Sequence, residues 1–509
     1  MRKIISLILI TLLLFPCIIA KAEYEMPESI RVGLYFGSSS KPQYTVSSSS
    51  GFKVTGGGET YITEDESANS VTVIKDSFYH AAIDGKFDSA DEAFSAVTLL
   101  KENSVPAFFV LDGSGFSVFA GRFNSDDEAE DLKNQISALG FNSKIVSPPP
   151  YGVLVLCEDK IWTGSVSSGV RLIPLSFSAK INDKEYRGFF EFYRDEKSDM
   201  AAVNVLGTED YLKGVVPREV SASWHTEAVK AQAIVARTYA VTNMNKFKSY
   251  GFNVDDTVSS QVYGGVSSEN ELTNKAVDET AGKLVMYDSK PAEVFFFSSS
   301  GGATENVENV WGGTSRPYLV SVPDTYENAE EASYSSWTVT LSPEQIREKL
   351  ASLGVDVGEV LDVTIDEQSS AGRSLKTTIH GSEKNHTLTF EKPRNVFGLY
   401  SNMFTVTRQG GALPVSYVLS TSGEIKELSP LGLKAQSSNA VSEISSVTAI
   451  GANGTKTYEK TSGTGDFIFT GKGWGHGIGM SQWGAKGMAE AGFLCDDIIK
   501  HYFVGTEVY

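Results

Sequence analysis

The sequence predicts an α+β protein built from two or three domains. Its 509 residues exceed the roughly 250–300 residues that a single hydrophobic core organises. Strand-like runs dominate the C-terminal part, where helix signals are confined to three segments, near His225, at Pro343 to Leu353 and at Met488 to Tyr502. A duplicated β-α-β pattern lies in the N-terminal part. We therefore expect a β-rich body with an Ala-rich helix, joined to a compact ferredoxin-like βαββαβ unit.

The composition is that of a globular protein with an acidic surface. The chain is 41% hydrophobic and 21% charged, and 63 acidic residues against 44 basic ones give a formal charge of −19. Phosphate backbones require a cationic surface, so nucleic acid is not an expected partner. The sequence has only 3 cysteines and no CxxC or Cys/His cluster, which argues against a structural zinc site or a dense disulfide framework.

Residues 1–22 are typical of a secretory signal peptide. Two basic residues precede an apolar run from Ile4 to Ala20, and Ala20-Lys21-Ala22 supplies a cleavage site. The expected location is therefore outside the cell, with an uncleaved membrane anchor as the alternative. Cleavage would remove three positive charges and leave −22. The remaining cysteines, Cys157 and Cys495, could pair or stay as two buried thiols, and the sequence leaves both open.

An internal repeat organises the region 70–148. The stretch Gly85–Ala93 recurs as Gly121–Ala129, and each copy places a Ser three residues before a Glu, which is a capping signature at a helix start. Strand-like runs precede and follow both helices. The region therefore predicts two β-α-β halves, and the rigid Pro148-Pro149-Pro150 run closes the unit as a linker.

These two halves resemble a SPOR domain, and Phe116–Phe123 is the better of the two copies. The resemblance implies binding of peptidoglycan glycan strands that lack stem peptides, through the exposed face of the sheet. Tyr79, Phe119 and Arg122 are then the candidate sugar contacts. The alternative is a generic packing module, because most of the repeated positions are caps and core residues.

The stretch Tyr211–Trp224, followed by the Ala-rich segment Glu227–Ala240, carries the strongest chemical signal. We expect Glu219 in the loop before the Ala-rich helix, where apolar neighbours would raise its pKa and let it act as a general acid. The alternative is a Glu near a helix N-terminus, stabilised by the helix dipole. Arg237, within a run of Ala, Ile and Val, is either a buried ion pair or a clamp on a sugar.

Further motifs then follow in a fixed order along the chain. Together with the two stretches above they resemble the SpoIID/LytB family, the group of sporulation stage II protein D and amidase enhancers. The resemblance covers roughly 186–509 within an expected body of 151–509, and it suggests that strands of 23–65 pack on this body around an inserted SPOR unit. The additional motifs are Gln261–Gly265, Phe295–Gly302, Val310–Gly313, Pro317–Leu319 and Gly473–Ala485.

The family resemblance implies a lytic transglycosylase that cleaves peptidoglycan glycan strands during sporulation and engulfment and leaves 1,6-anhydro ends. Glu219 matches the family's catalytic residue, and the resemblance implies no cofactor. An internal sugar hydroxyl would act as the nucleophile, so a single carboxylic acid would suffice. The expected substrate-binding residues are Arg237, Gln261, Tyr263, Ser300, Trp311, Tyr318, His476 and Gln482.

Several alternatives accompany this prediction. The chain could be a non-catalytic enhancer that binds peptidoglycan and a cell-wall amidase, or a structural wall protein. Trp311 could be a core residue and His476 a hydrogen-bonding anchor of its loop. A serine nucleophile in Ser298–Ser300 is disfavoured, because the sequence lacks a G-x-S-x-G elbow. Some family members carry zinc ligands before the Gln261 motif, but Asn253–Ser260 contains neither Cys nor His, so we expect no metal.

Overall fold

The structure is a computed structural model. It describes residues 24, 26–56, 61–112, 115–158, 160–167, 169–409 and 465–509, and the backbone of six short strands between residues 416 and 459. The predicted signal peptide, residues 1–22, lies outside the described residues. None of the described helices combines the length and the apolar character that a membrane crossing requires.

The fold is α+β and rich in strands, as predicted. The strands before residue 208 are β1 (Ser29–Tyr35), β2 (Gln43–Ser48), β3 (Phe52–Gly56), β4 (Tyr61–Asp65), β5 (Ser70–Lys75), β6 (Tyr79–Ile83), β7 (Ala107–Asp112), β8 (Gly115–Phe123), β9 (Ser143–Val146), β10 (Val153–Cys157), β11 (Lys160–Ser165), β12 (Val170–Pro174), β13 (Ser178–Ile181), β14 (Lys184–Arg187), β15 (Phe189–Tyr193) and β16 (Ala201–Gly207).

The helices are α1 (Ala90–Glu102), α2 (Asp126–Ala138), α3 (Thr208–Glu219), α4 (Thr226–Thr242), α5 (Glu271–Glu279), α6 (Val307–Trp311), α7 (Pro343–Ala351), α8 (Lys392–Phe397), α9 (Gln482–Glu490) and α10 (Cys495–Tyr502). The later strands are β17 (Val254–Asp255), β18 (Val285–Tyr287), β19 (Lys290–Pro291), β20 (Phe296–Phe297), β21 (Trp337–Leu341), β22 (Val360–Gln368), β23 (Ser374–Gly381), β24 (His386–Thr389), β25 (Phe404–Arg408), β26 (Ser416–Leu419), β27 (Ile425–Leu428), β28 (Lys434–Gln436), β29 (Val441–Glu443), β30 (Ser446–Gly451), β31 (Gly454–Glu459), β32 (Phe467–Gly471), β33 (Met480–Ser481) and β34 (Glu507–Val508).

Two large sheets form the N-terminal half. One has the order β17-β1-β16-β15-β12-β3-β4, so the N-terminal strand β1 lies between β16 and β17. The other has the order β14-β13-β2-β5-β10-β11-β7-β8-β6-β9. Both sheets therefore combine strands from before and after the region 70–148, and β5 itself pairs with β2 and β10.

The duplicated unit occupies one end of the second sheet as β6-α1-β7-β8-α2-β9, with antiparallel neighbours in the order β7-β8-β6-β9. Ser89 and Ser125 cap α1 and α2, accepting hydrogen bonds from the backbone of Glu92 and Glu128. One sheet face packs on these helices. The opposite face is also buried at its centre, where Phe108 and Phe119 form one cluster with Leu154 and Leu156 of β10, a strand of the same sheet.

The Ala-rich helix α4 lies at the centre of the C-terminal half. It begins at Thr226, as the helix signal near His225 predicts, and it contacts α3, α5, α9 and α10. Small side chains allow these close approaches on nearly every side, so the helix is buried almost all round. This packing holds the end of α3 and the loops near α9 against one rigid element.

A separate core organises the region between α6 and the glycine-rich C-terminal motif. It contains the sheets β21-β32-β25 and β22-β23-β24 with α7 and α8, and we call it the C-terminal β-unit. Its centre is formed by buried side chains that include Ile346, Leu350, Phe397 and Phe469. The unit contacts the body beside the end of α6, where Glu391 N–H donates a 3.0 Å hydrogen bond to the Val310 carbonyl.

Candidate active site

A cleft of about 400 Å³ opens where the end of α3, the loop before Gln261, the start of β20 and the glycine-rich C-terminal loop meet. Four residues predicted for the site share this cleft with Glu219 or touch it. Gln261, Trp311 and His476 line it, and Gln482 hydrogen-bonds to Glu219. The lining residues are Glu219, Tyr239, Val258, Ser260, Gln261, Val262, Phe295, Phe296, Trp311 and His476.

Glu219 is the last residue of α3 and is half-buried in the cleft. The prediction that Glu219 lies in the loop before α4 is therefore wrong. Glu219 still belongs to α3, and the loop runs from the next residue to the start of α4 at Thr226. The alternative of stabilisation at a helix N-terminus is also wrong. At a helix C-terminus the dipole disfavours a carboxylate and acts in the same direction as burial.

Burial raises the pKa of Glu219 to about 7. Hydrogen bonds from the Val262 backbone and the Gln482 side chain, and the positive charge of Arg218, act in the opposite direction without cancelling the effect. A large fraction of Glu219 is therefore protonated near neutrality and can donate a proton into the cleft. Of the described residues that line the cleft, Glu219 alone carries a carboxyl group.

Aromatic rings form another part of the cleft wall. The Trp311 ring is 41% exposed, and its centroid lies 4.6 Å from that of Phe295 and 5.1 Å from that of His476. The indole N–H donates a 2.9 Å hydrogen bond to the carboxylate of Glu391, which fixes the ring from the C-terminal β-unit. Trp311 is thus an exposed platform and not a core residue.

His476 anchors the glycine-rich loop. Its Nδ1 accepts a 3.0 Å hydrogen bond from the Ile478 N–H, and burial, with the nearby charges of Arg394 and Arg373, lowers its pKa to about 3. The ring is therefore neutral at physiological pH. It supports the Trp311 platform and does not serve as a second acid.

The two glutamines link the cleft to the core. The Tyr211 hydroxyl donates a 3.3 Å hydrogen bond to Gln261 Oε1, and the Gln261 amide donates one of 3.3 Å to the Ala236 carbonyl. The Gln482 amide donates a 3.4 Å hydrogen bond to Gln232 Oε1 of α4. These bonds tie both ends of the site to α4, so its geometry depends on the packing of that helix.

Arg237 does not contact the cleft, and its predicted role as a substrate clamp is corrected. Its side chain is fully buried, and its guanidinium donates hydrogen bonds of 2.8 and 2.6 Å to the two carboxylate oxygens of Glu209. The backbone carbonyls of Lys283 and Val277 accept further bonds. The buried ion pair, which was the alternative expectation, is what the structure contains.

Three other predicted substrate contacts are also buried and hold loops. The Tyr263 hydroxyl donates a 2.9 Å hydrogen bond to Asn204, and Ser300 donates one of 3.1 Å to the carboxylate of Glu327. The Tyr318 hydroxyl accepts a 3.1 Å bond from the Glu293 backbone. Their assignment as substrate contacts is corrected to structural support, because each is less than a tenth exposed and none of the three lines the cleft.

The three candidate sugar contacts of the duplicated unit differ in exposure. Arg122 is exposed with its guanidinium 5.7 Å from the centre of the Phe78 ring, and Tyr79 is half-buried. Phe119 is only 5% exposed and stacks on His80 at 5.5 Å. Its predicted sugar contact is corrected, because the ring is buried in a cluster with Phe108 and with Leu154 and Leu156 of the same sheet.

Cys157 lies in β10 and Cys495 begins α10, and both are free thiols, which answers the question that the sequence left open. Across the described ranges, no three His, Cys, Asp or Glu side chains converge in a way that could hold a metal ion.

Some cleft residues escaped the sequence analysis. Tyr239 belongs to the Ala-rich segment, and Phe295 and Phe296 belong to the motif Phe295–Gly302, of which only the serines were considered as site residues. Val258 and Ser260 precede the Gln261 motif without a signal of their own. Glu391, which holds Trp311, is 80 residues away in sequence, and no pattern connects the two.

Comparison with known proteins supports the resemblance seen in the sequence. Residues 196–287 match the model of the SpoIID family, described as stage II sporulation protein. The chain is 36% identical over 308 residues to the amidase enhancer of Bacillus subtilis (strain 168), a match that covers 58% of this chain and 40% of that relative's length. It therefore spans well under half of that protein.

Two further relatives are matched over most of their length. The chain is 30% identical over 323 residues to stage II sporulation protein D of Bacillus amyloliquefaciens, covering 60% of this chain and 75% of the relative. It is 30% identical over 378 residues to an uncharacterised protein of Brachyspira hyodysenteriae, covering 72% and 85%. The chain belongs to the SpoIID/LytB family. The names of the relatives from the two Bacillus species refer to sporulation and to amidase enhancement.

Proposed function

We propose that this protein is a lytic transglycosylase that cleaves the glycan strands of peptidoglycan. The observation that carries the proposal is Glu219, a carboxyl group with a pKa of about 7 and no second carboxyl group among the described cleft residues. Hydrolytic glycosidases use a pair of carboxyl groups, one of which activates water or attacks the sugar. A lone carboxyl group suits a reaction in which the substrate supplies its own nucleophile.

The proposed reaction has two proton transfers through one residue. Protonated Glu219 donates its proton to the glycosidic oxygen as the bond from N-acetylmuramic acid to N-acetylglucosamine breaks. The resulting carboxylate then accepts the proton of the muramyl C6 hydroxyl, whose oxygen bonds to C1 and closes the 1,6-anhydro ring. Glu219 ends protonated, as it began, and no water is consumed. Trp311 supplies an apolar surface for a sugar ring during these steps.

The same proposal covers location and attachment. We propose secretion to the cell wall by the signal peptide of residues 1–22, and glycan binding by the duplicated unit as a SPOR domain. In that unit the exposed Arg122 and the half-buried Tyr79 are the remaining candidates for sugar contact. The acidic chain has no general attraction to anionic wall polymers, so attachment depends on contacts specific to sugars.

A second candidate function is that of a peptidoglycan-binding amidase enhancer. It is favoured by the 36% identity to a relative that bears that name. In this case the cleft would hold a glycan strand without cutting it, and a cell-wall amidase would be the partner. The raised pKa of Glu219 would then have no catalytic use, which is why we place this function second.

Product analysis tests the proposal. Glycan strands freed of stem peptides are incubated with the wild type, with Glu219→Gln and with Glu227→Gln, and the new chain ends are identified by mass spectrometry. Glu227 lies outside the cleft, pairs with Lys230 at 3.0 Å and serves as the matched control. We expect 1,6-anhydro ends from the wild type and the control, and a loss of at least about a hundredfold in Glu219→Gln. Equal yields from all three proteins, or no such ends, would overturn the proposal.

A further inference from the structure

Two exposed tryptophans flank His476, and each has an exposed aromatic neighbour. Trp311 packs beside His476, and Trp474 precedes it by two residues on the glycine-rich loop, with 41% and 39% of their surfaces exposed. The neighbours are Phe390, 42% exposed, and Tyr334, 40% exposed. Both come from the C-terminal β-unit or from the segment that leads into it, and the proposed reaction uses neither.

Phe390 follows β24 and reaches the cleft wall at Gly312. A β-carbon on Gly312 would lie 3.2 Å from Phe390 Cζ, so the ring rests against the end of α6. The adjoining residue, Glu391, makes two hydrogen bonds to that wall: its N–H donates to the Val310 carbonyl, and its carboxylate accepts one from the Trp311 indole N–H. Phe390 therefore holds a fixed position next to the Trp311 platform.

Tyr334 holds a similar position beside Trp474. Its ring stacks on Tyr400 with the centroids 4.0 Å apart, and it meets Trp474 edge-on at 4.7 Å. The Tyr400 carbonyl accepts a 2.9 Å hydrogen bond from Gly475, which lies between Trp474 and His476. The Tyr334 ring is thus tied to the same loop that supplies His476 to the cleft.

Both rings are carried by a strained backbone. Among the residues that the structure describes, only two aromatic residues have a left-handed backbone, Tyr334 with a φ of 60° and Phe390 with a φ of 57°. That conformation is unfavourable for any residue with a side chain, and an exposed ring recovers little of the cost through burial. Strain of this kind is concentrated at ligand clamps and active sites.

We propose that Phe390 and Tyr334, with Trp474, form outlying sugar subsites that hold the glycan strand beyond the cleft. The substrate class rests on the proposed function. A cleft of about 400 Å³ is of the size that encloses a small ligand, whereas a glycan strand continues past it. The C–H faces of pyranose rings pack on the negative faces of aromatic rings, and that attraction requires no charge on either partner. Separate subsites along one strand also reinforce each other.

Binding by an inactive protein tests this proposal independently of cleavage. In a Glu219→Gln background, the affinities for a stem-free tetrasaccharide and for long stem-free strands are measured by calorimetry. Phe390→Ala and Tyr334→Ala should each weaken binding of long strands by roughly three- to tenfold and leave the tetrasaccharide unaffected. Phe177→Ala, which removes a 69% exposed ring elsewhere on the body, is the matched control and should change neither affinity.

A glycine substitution separates binding from structural support. Phe390→Gly removes the ring and relieves the backbone strain, so it should raise the melting temperature while it weakens long-strand binding. Unchanged long-strand affinity in both alanine variants, or an equal loss for the tetrasaccharide, would overturn the subsites. If the wild type yields no 1,6-anhydro ends while the length-dependent losses persist, the proposed function fails and the subsites stand.

Discussion

Replacing Glu219 by Gln should stabilise the protein at neutral and alkaline pH and leave it unchanged in acid. Burial raises the pKa of Glu219 from 4.5 to about 7, so the folded protein binds a proton more tightly than the unfolded chain does. Between these pH values the folded state carries more protons, and stability falls as the pH rises. The wild type therefore loses roughly 3 kcal/mol of unfolding free energy as the pH rises from below 4.5 to above 7. Gln keeps the size and a hydrogen-bond acceptor for the Val262 N–H but cannot ionise.

Urea denaturation at pH 4 and at pH 8, followed by tryptophan fluorescence, measures this difference. Trp224 and Trp483 pack 5.0 Å apart near the end of α3 and give a local signal. We expect the two proteins to match in acid and Glu219→Gln to be more stable by about 3 kcal/mol at pH 8. Glu227→Gln should show the opposite sign, because the pKa of Glu227 is lowered and its stabilising effect is present above about pH 4.5. A Glu219→Gln difference that does not vary with pH would refute the raised pKa.

Further predictions concern the reaction and the buried polar groups. The rate of glycan cleavage should decline above about pH 7, since the protonated fraction of Glu219 falls, and a pH–rate profile measures this. Glu209→Ala should lower the free energy of unfolding by about 3–5 kcal/mol, because it leaves the fully buried Arg237 without its carboxylate partner. Arg237→Met should lower it less, because the Glu209 side chain that it leaves behind is 29% exposed, and chemical denaturation compares the two variants. Gly477→Ala should cost about 2–4 kcal/mol, since φ is +90° and a β-carbon would lie 2.5 Å from Arg373 Cζ, and a lower melting temperature would show it.

The local patterns of the sequence predicted the elements well, because they depend on neighbouring residues. The caps at Ser89 and Ser125 and the start of α4 are set within one helical turn. The catalytic candidate Glu219 came from a motif, and its apolar surroundings were visible in the adjoining residues. Its position at the end of α3 was not visible, because α3 contains Pro217, a residue type that is unfavourable inside a helix.

The roles of other residues depended on partners that are distant in sequence. Arg237 is an ion pair and not a clamp because Glu209, 28 residues earlier, folds against it. Phe119 is buried in a cluster that includes Leu154 and Leu156 of β10, a strand that follows the duplicated unit and belongs to the same sheet. Trp311 became an exposed platform through Glu391 of the C-terminal β-unit, which the sequence did not separate from the rest of the body. No periodicity within one element carries such information.

Isotope labelling tests most directly whether the muramyl C6 hydroxyl is the nucleophile. Only with that nucleophile can Glu219 serve as the sole acid and base of the proposed reaction. Stem-free glycan strands are digested in water enriched in oxygen-18, and the new chain ends are analysed by mass spectrometry. A transglycosylase forms its new C1–O bond within the sugar, so the muramyl ends should be anhydro forms without the label. New reducing muramyl ends in place of anhydro ends would show that water is the nucleophile, and they would contradict the proposed reaction.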